Sequence, residues 1–302
     1  MISKALKAGD VIGIATPAGP ISEQQAQNAI DKVKKAGFVP FVPDGLCDKY
    51  GYLAGSDESR ANQINSLFAN KNVKAIICAR GGFGCTRILD LLDYELIKQN
   101  PKIIGGYSDV TALAIAIQKK TNLITFHSSM LVPEDTEYTR TSMWNIFEKG
   151  QKNYKITCEP GDGAVIKPGK CRGTLIGGNL TLVESLIGTQ YDFSLNNKIL
   201  FLEEINEPPY KVDRMLTHLR NSKTFKGLKG IILGKFQGCE AQGNNSLSLD
   251  EVINDFTKNL NIPIVKDFSF GHVKSRCTLP IGAKASLRTD KMEIRLLEDV
   301  VF

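Results

Sequence analysis

The chain has 302 residues, 42% hydrophobic and 23% charged, with a net charge of +6. That length is near the size at which one core divides in two, so two domains are expected, and the composition excludes a disordered or fibrous protein. The Lys and Arg residues are scattered, with no basic block and no basic stripe interleaved with aromatics, so nucleic acid is not an expected partner.

The opening run Met1-Ile2-Ser3-Lys4-Ala5-Leu6-Lys7-Ala8-Gly9-Asp10 lacks a signal-peptide core, and no later stretch reaches transmembrane length. No membrane partner is therefore expected, and the expected compartment is the cytoplasm. A strand over 10–15 leads through Thr16-Pro17-Ala18-Gly19-Pro20 to a helix capped by Ser22 and running towards Lys35, closed by Gly37. A strand over 39–42, a loop with Tyr50, Gly51, Tyr52 and Gly55, a helix over 56–68 and a strand over 73–79 follow. A helix over 86–92, a strand near 102–106, a helix after Ser108 and a strand over 123–126 complete the first half. This rhythm predicts an α/β fold: a parallel-sheet, flavodoxin- or Rossmann-like N-terminal domain over 1–135. Ligands of such sheets sit at the carboxyl ends of the strands, where Thr16, Arg80 and Ser108 fall.

Residues 136–169 read as a linker, with one helix around Trp144 and the turn-rich run Glu159-Pro160-Gly161-Asp162-Gly163. A smaller mixed α/β domain is expected over 170–302. Its strands are predicted over 171–176, 198–202, 230–233, 263–267, 283–287 and 292–296, with helices from Leu180, over 210–220 and over 249–260.

Lys102-Ile103-Ile104-Gly105-Gly106-Tyr107-Ser108-Asp109-Val110-Thr111 reads as strand, sharp turn and helix with a hydroxyl at the corner. A serine so placed is either an exposed nucleophile or a helix cap. Arg80-Gly81-Gly82-Phe83-Gly84 follows a buried strand. Glycines there can aim successive N–H groups at an oxyanion or a phosphate, or simply form a tight turn; the run matches neither G-x-x-x-x-G-K-[ST] nor a full G-x-G-x-x-G. A non-catalytic module binding a phosphorylated metabolite at 80–84 is thus one reading.

Of three histidines, His127 follows a strand end and His218 lies inside an amphipathic helix. His272, in a polar loop between apolar strands, is favoured as a general base. Glu203 and Glu204 end an apolar run and either could orient an imidazole. Arg214 and Glu207 could bind substrate or pair with each other. The seven cysteines, Cys47, Cys78, Cys85, Cys158, Cys171, Cys239 and Cys277, show no C-x-x-C spacing, so reduced structural thiols are expected and no metal site is.

Taken together, five motifs resemble the LD-carboxypeptidase family of serine peptidases: Ala79-Arg80-Gly81-Gly82-Phe83-Gly84; Gly106-Tyr107-Ser108-Asp109-Val110-Thr111; Gly177-Gly178-Asn179-Leu180; Leu202-Glu203-Glu204 through Asp213-Arg214-Met215-Leu216; and Gly271-His272 through Thr278-Leu279-Pro280-Ile281-Gly282. They occur in the family's order and span nearly the whole chain. The resemblance implies a triad of Ser108, Glu203 and His272, although the family usually shows Leu-Glu-Asp where this chain has Leu-Glu-Glu. It further implies an oxyanion site from backbone N–H groups of Asp109 and of Gly81 or Gly82, and the loss of D-alanine from a cytoplasmic murein tetrapeptide by a homodimer. Arg80 and Arg214 are the cations expected for the substrate carboxylate. No metal or cofactor is expected. A related peptidase cleaving a peptidyl-nucleotide antibiotic is the alternative, and it would need an aromatic platform, for which Trp144 is the single tryptophan.

Overall fold

Apolar runs of four to six residues supply the strands of a first sheet. A computed structural model describes residues 1–243 and 245–302. β1 (Val11–Ala15) is buried along all but its first residue. α1 (Glu23–Lys35) begins at Ser22, whose hydroxyl accepts from Gln25 N while the Gln25 side chain accepts from Ser22 N, a reciprocal cap that turns Ala26, Ala29 and Val33 inward. β2 (Val39–Phe41), α2 (Asp57–Ala69, capped by Ser56) and β3 (Val73–Cys78) follow. α3 (Cys85–Ile88) passes into a short 3-10 turn, and α4 (Tyr94–Gln99) is a six-residue helix held by the Asp93 side chain on Leu96 N. The expected helix over 86–92 is thus broken, and α4 is too short to show a helical period in the sequence. β4 (Ile103–Gly106), α5 (Val110–Thr121) and β5 (Thr125–His127) complete the half.

Continuing along the chain come α6 (Glu137–Lys149), β6 (Lys155–Thr157), β7 (Ala164–Lys167), β8 (Lys170–Asn179), α7 (Leu180–Ser185), β9 (Lys198–Ile205), α8 (Pro209–Asn221), β10 (Gly230–Gln237), α9 (Leu249–Thr257), β11 (Ile264–Lys266), β12 (Leu279–Ile281), β13 (Lys284–Arg288) and β14 (Glu293–Leu296). The first sheet has the order β12-β5-β4-β3-β1-β2 and the second β6-β14-β13-β8-β9-β10-β11-β7. β1 to β5 are mutually parallel, as are β8 to β11 in the second sheet, whose remaining pairings are antiparallel. A buried apolar cluster runs through both halves.

Two further elements are placed otherwise than the sequence suggests. Residues 136–169, expected as a linker, supply α6, whose Phe147 packs on Phe126 of β5 with ring centroids 5.0 Å apart, and the two edge strands β6 and β7 of the second sheet. These strands are three and four residues long and half-exposed, too short for an alternating pattern to show. β12 comes from the second half of the chain yet lies antiparallel on β5 at the edge of the first sheet. Pro280 in β12 fits an edge position, where a missing N–H leaves no neighbouring strand unpaired.

Candidate active site

β4 ends at Gly106 and α5 begins at Val110, so Ser108 sits in the corner between them with φ +62°, a left-handed backbone rare for a residue with a side chain. Holding it there costs about 1–2 kcal/mol, which the surrounding packing must impose. Asp109 is buried behind the corner and accepts from Cys85 N at 2.7 Å, tying the start of α5 to the end of the 80–84 loop. Burial, partly offset by the bond from Cys85, raises the Asp109 carboxyl above its ordinary range. Asp109 is the residue that caps α5, so its N–H has no partner within the helix.

The 80–84 loop lies directly on this corner. A β-carbon placed on Gly81 would fall 2.7 Å from Ser108 Cβ and 2.8 Å from its Oγ, so the glycine allows backbone and hydroxyl to touch. Gly81 O accepts from Gly19 N at 3.0 Å, while Gly82 takes φ +122°. Arg60, fully buried on α2, donates to Gly84 O at 2.8 Å and to Pro17 O at 2.5 Å, pinning the loop from below. Arg80 is half-buried, donating to Pro20 O at 3.2 Å.

Glu203 and Glu204 lie inside β9, which runs on to Ile205 instead of ending at Leu202, and strand alternation sends them to opposite faces. Glu203 is fully buried and its Oε2 accepts from His272 Nδ1 at 2.7 Å. Glu204 accepts from Asn179 Nδ2, Thr181 N and Thr181 Oγ1 and so anchors the start of α7. Burial raises its carboxyl despite these bonds. The Gly-Gly-Asn run docks the two halves: Gly178, at φ +142°, lets β8 approach so close that a β-carbon would lie 2.5 Å from the Thr111 side chain, and Asn179 N donates to Thr111 Oγ1 at 3.1 Å.

Tyr107 joins the two clusters. It precedes Ser108, and its ring meets the His272 ring edge-on with centroids 4.9 Å apart. No hydrogen bond connects Ser108 to His272 among the described residues; bonds of this kind commonly tighten only when substrate arrives. Arg276, which the sequence reading passed over, is buried with its guanidinium 4.9 Å from the Tyr107 ring centroid and donates to Glu134 O. Its place four residues after His272 was the available signal. His127 is buried among Tyr107, Phe201 and Phe270, and burial lowers its imidazole to about 4.

Other candidates lie elsewhere. Arg214 is exposed on α8 over the Tyr210 ring, and Glu207 pairs with Lys211, so the two do not pair with each other. His218 bonds to Glu184 at the surface. Trp144 is half-buried against Phe38 and Phe147 and so is not an open platform, whereas Tyr52 and Phe83, with centroids 5.9 Å apart, are exposed beside the 80–84 loop. All seven cysteines are free. Among the described residues no group of three or more His, Cys, Asp or Glu side chains is placed to hold a metal ion, and no helix is long and apolar enough to cross a membrane.

An imidazole backed by a buried carboxylate, joined through Tyr107 to a corner serine on which a glycine loop lies, is an arrangement suited to acyl transfer. Comparison with known proteins points the same way. Residues 12–128 match the model of the LD-carboxypeptidase N-terminal domain and residues 172–287 that of the C-terminal domain. A "Probable murein peptide carboxypeptidase" of Bacillus subtilis (strain 168) is 36% identical over 95% of this chain and 91% of its own length. The crystal structure of a muramoyltetrapeptide carboxypeptidase from Oxalobacter formigenes superposes with TM-score 0.83 at 30% identity, covering 97% of this chain and 100% of that one. The structure of MccF in complex with glutamyl sulfamoyl guanosine superposes with TM-score 0.92 at 26% identity, covering 100% of this chain and 99% of that one. With both domain models matched in order and relatives alike along nearly their whole length, the chain belongs to the LD-carboxypeptidase family.

Proposed function

We propose that the protein is a serine LD-carboxypeptidase that removes the terminal D-alanine from murein tetrapeptide in the cytoplasm, within peptidoglycan recycling, and that it works as a homodimer. The observation that carries this reading is the Glu203–His272 pair, its imidazole edge-on to the ring of Tyr107, the residue that precedes the left-handed corner at Ser108. Glu203 fixes the proton on Nδ1 of His272, which leaves Nε2 free to take the Ser108 proton as Oγ attacks the scissile carbonyl. Negative charge on the carbonyl oxygen meets the N–H groups of Asp109 and of Gly81 or Gly82. His272 then passes its proton to the leaving D-alanine nitrogen as the C–N bond breaks, and water attacks the acyl-enzyme by the same route. Arg80, on the glycine loop, supplies a cation for the substrate's terminal carboxylate.

D-alanine release from murein tetrapeptide by the purified protein tests the reading, with Ser108→Ala and His272→Ala as controls. Release by the wild type and loss in both variants is expected; release by Ser108→Ala, or none by the wild type, overturns it. The exposed Tyr52 and Phe83 rings support a second reading, cleavage of a peptidyl-nucleotide whose base stacks there. Faster turnover of an acyl-sulfamoyl adenylate than of tetrapeptide would favour it.

A further inference from the structure

The segment that follows His272 is fastened to the first half of the chain before β12 begins. Lys274 O accepts from Thr139 Oγ1 at 2.7 Å, and Arg276 N donates to the same Thr139 oxygen at 2.8 Å. Ser275 Oγ lies 3.1 Å from Thr136 Oγ1, and Thr278 N donates to Ser142 Oγ at 2.9 Å. These partners stand on α6 or at its cap, and α6 packs on β5 of the first sheet. Thr139 is fully buried, so water does not compete for its two bonds.

The Arg276 side chain carries this fastening on to the serine corner. Its guanidinium lies over the Tyr107 ring, 4.9 Å from the centroid, and the His272 ring meets that same ring edge-on with centroids 4.9 Å apart. Residues 272 and 276 of one loop thus hold a single buried tyrosine, the residue that leads into the left-handed backbone of Ser108. Packing alone does not explain an arginine here. It is 4% exposed, Nη2 donates to a neutral carbonyl, Glu134 O, and Nε and Nη1 have no hydrogen-bond partner. A buried cation satisfied in this way is costly, and a methionine would fill the space without that cost. What arginine offers instead is a flat, permanently charged face attracted to the negative face of an aromatic ring.

We propose that Arg276 is a positioning residue: its guanidinium, anchored on Glu134 O and lying over Tyr107, holds the Ser108 corner and the His272 loop together as one unit. The role rests on the serine-hydrolase reading and deepens it. Nucleophile and base take their places from one shared ring, and Arg276 keeps that ring from turning. Without the cation the corner and the loop shift independently, and a displacement of about 1 Å between reacting groups is enough to lose about 100-fold in rate.

Arg276→Met keeps the length of the side chain and removes the charge together with the two unpartnered nitrogens. Its kcat for D-alanine release falls roughly 10- to 100-fold with KM little changed, while Tm does not fall. Arg276→Lys, which restores a cation over the ring without the planar face, recovers part of the lost kcat. Tyr107→Leu removes the ring and loses kcat to a similar degree. Because both side chains act through one contact, the double variant Arg276→Met/Tyr107→Leu loses little more than either single one. Labelling of Ser108 by a fluorophosphonate needs an activated serine but no tetrapeptide, so slower labelling of Arg276→Met supports the role even if tetrapeptide is not turned over. Wild-type kcat and labelling rate in Arg276→Met overturn it, as do equal losses in the methionine and lysine variants or additive losses in the double variant. Should Arg276→Met not fold, Tyr107→Leu decides, and full activity there overturns the proposal. Failure of the wild type to label at Ser108 overturns the hydrolase reading and the proposal together.

Discussion

Gly81 and Ser108 touch: a β-carbon on the glycine would lie 2.8 Å from the serine Oγ, closer than two such atoms can stand. The backbone of one loop thus limits where the hydroxyl of another can point. Gly81 does not have the left-handed φ of its neighbour Gly82, so alanine is conformationally acceptable there and the conflict is with Ser108 alone. Gly81→Ala is expected to retain its circular dichroism spectrum while losing about 100-fold or more in kcat, since displacement of a reacting atom by about 1 Å has that effect. Unchanged steady-state kinetics would show that the contact yields without consequence.

The left-handed corner gives Ser108 a second signature. Ser108→Gly removes the steric penalty, whereas Ser108→Ala removes only the hydroxyl, so the glycine variant should be the more stable of the two by about 1 kcal/mol in urea unfolding. Both should be inactive. Equal unfolding midpoints would mean that the corner carries no strain.

The adjacent carboxylates should separate cleanly. Glu203→Gln keeps the shape but offers His272 the wrong partner, and kcat should fall by roughly 10³- to 10⁴-fold with little loss of stability. Glu204→Ala strips the anchor from Asn179 and Thr181 at the start of α7 and should cost about 1–3 kcal/mol of stability. Urea melts and D-alanine assays on the two proteins decide this, and reversed roles would place the orienting acid at Glu204.

Folding lowers the His127 imidazole from 6.5 to about 4 because burial disfavours its charged form. Between these values the unfolded chain binds the proton and the folded one does not. The contribution is therefore present above pH 6.5 and is lost as pH falls towards 4, to a limit of roughly 3 kcal/mol. Asp109 and Glu204, both raised, act in the opposite direction, so the comparison must be with His127→Phe. Urea unfolding at pH 7 and pH 4.5 should show the wild type losing stability relative to that variant, and parallel pH profiles would show that His127 stays accessible to protons.

Ser108, the 80–84 loop and His272 were legible because each stands at a strand end or in a loop marked by glycine, where local signals are strong. The choice between Glu203 and Glu204 was not, since it depends on how far β9 runs and which face meets the other half of the chain. α1 declared itself through Ser22 and Gln25, a cap written within four residues. β6, β7 and β12 are three or four residues long and exist only through their partners, so no local pattern announced them. Arg276 is a related case: its place four residues after His272 marks it as close to the site, but not that it will lie over Tyr107.

The pairing of β12 with β5, Thr125 opposite Ile281, has a consequence for biosynthesis. During translation β5 emerges long before β12, and until residue 281 clears the ribosome the growing sheet presents an open, adhesive edge beside His127. The loop bearing His272 is stitched into one sheet at β11 and into the other at β12, so in the proposed mechanism His272 and Ser108 are brought together only when that seam closes. On the proposed mechanism, a chain that ends before His272 lacks the base and is hydrolytically silent.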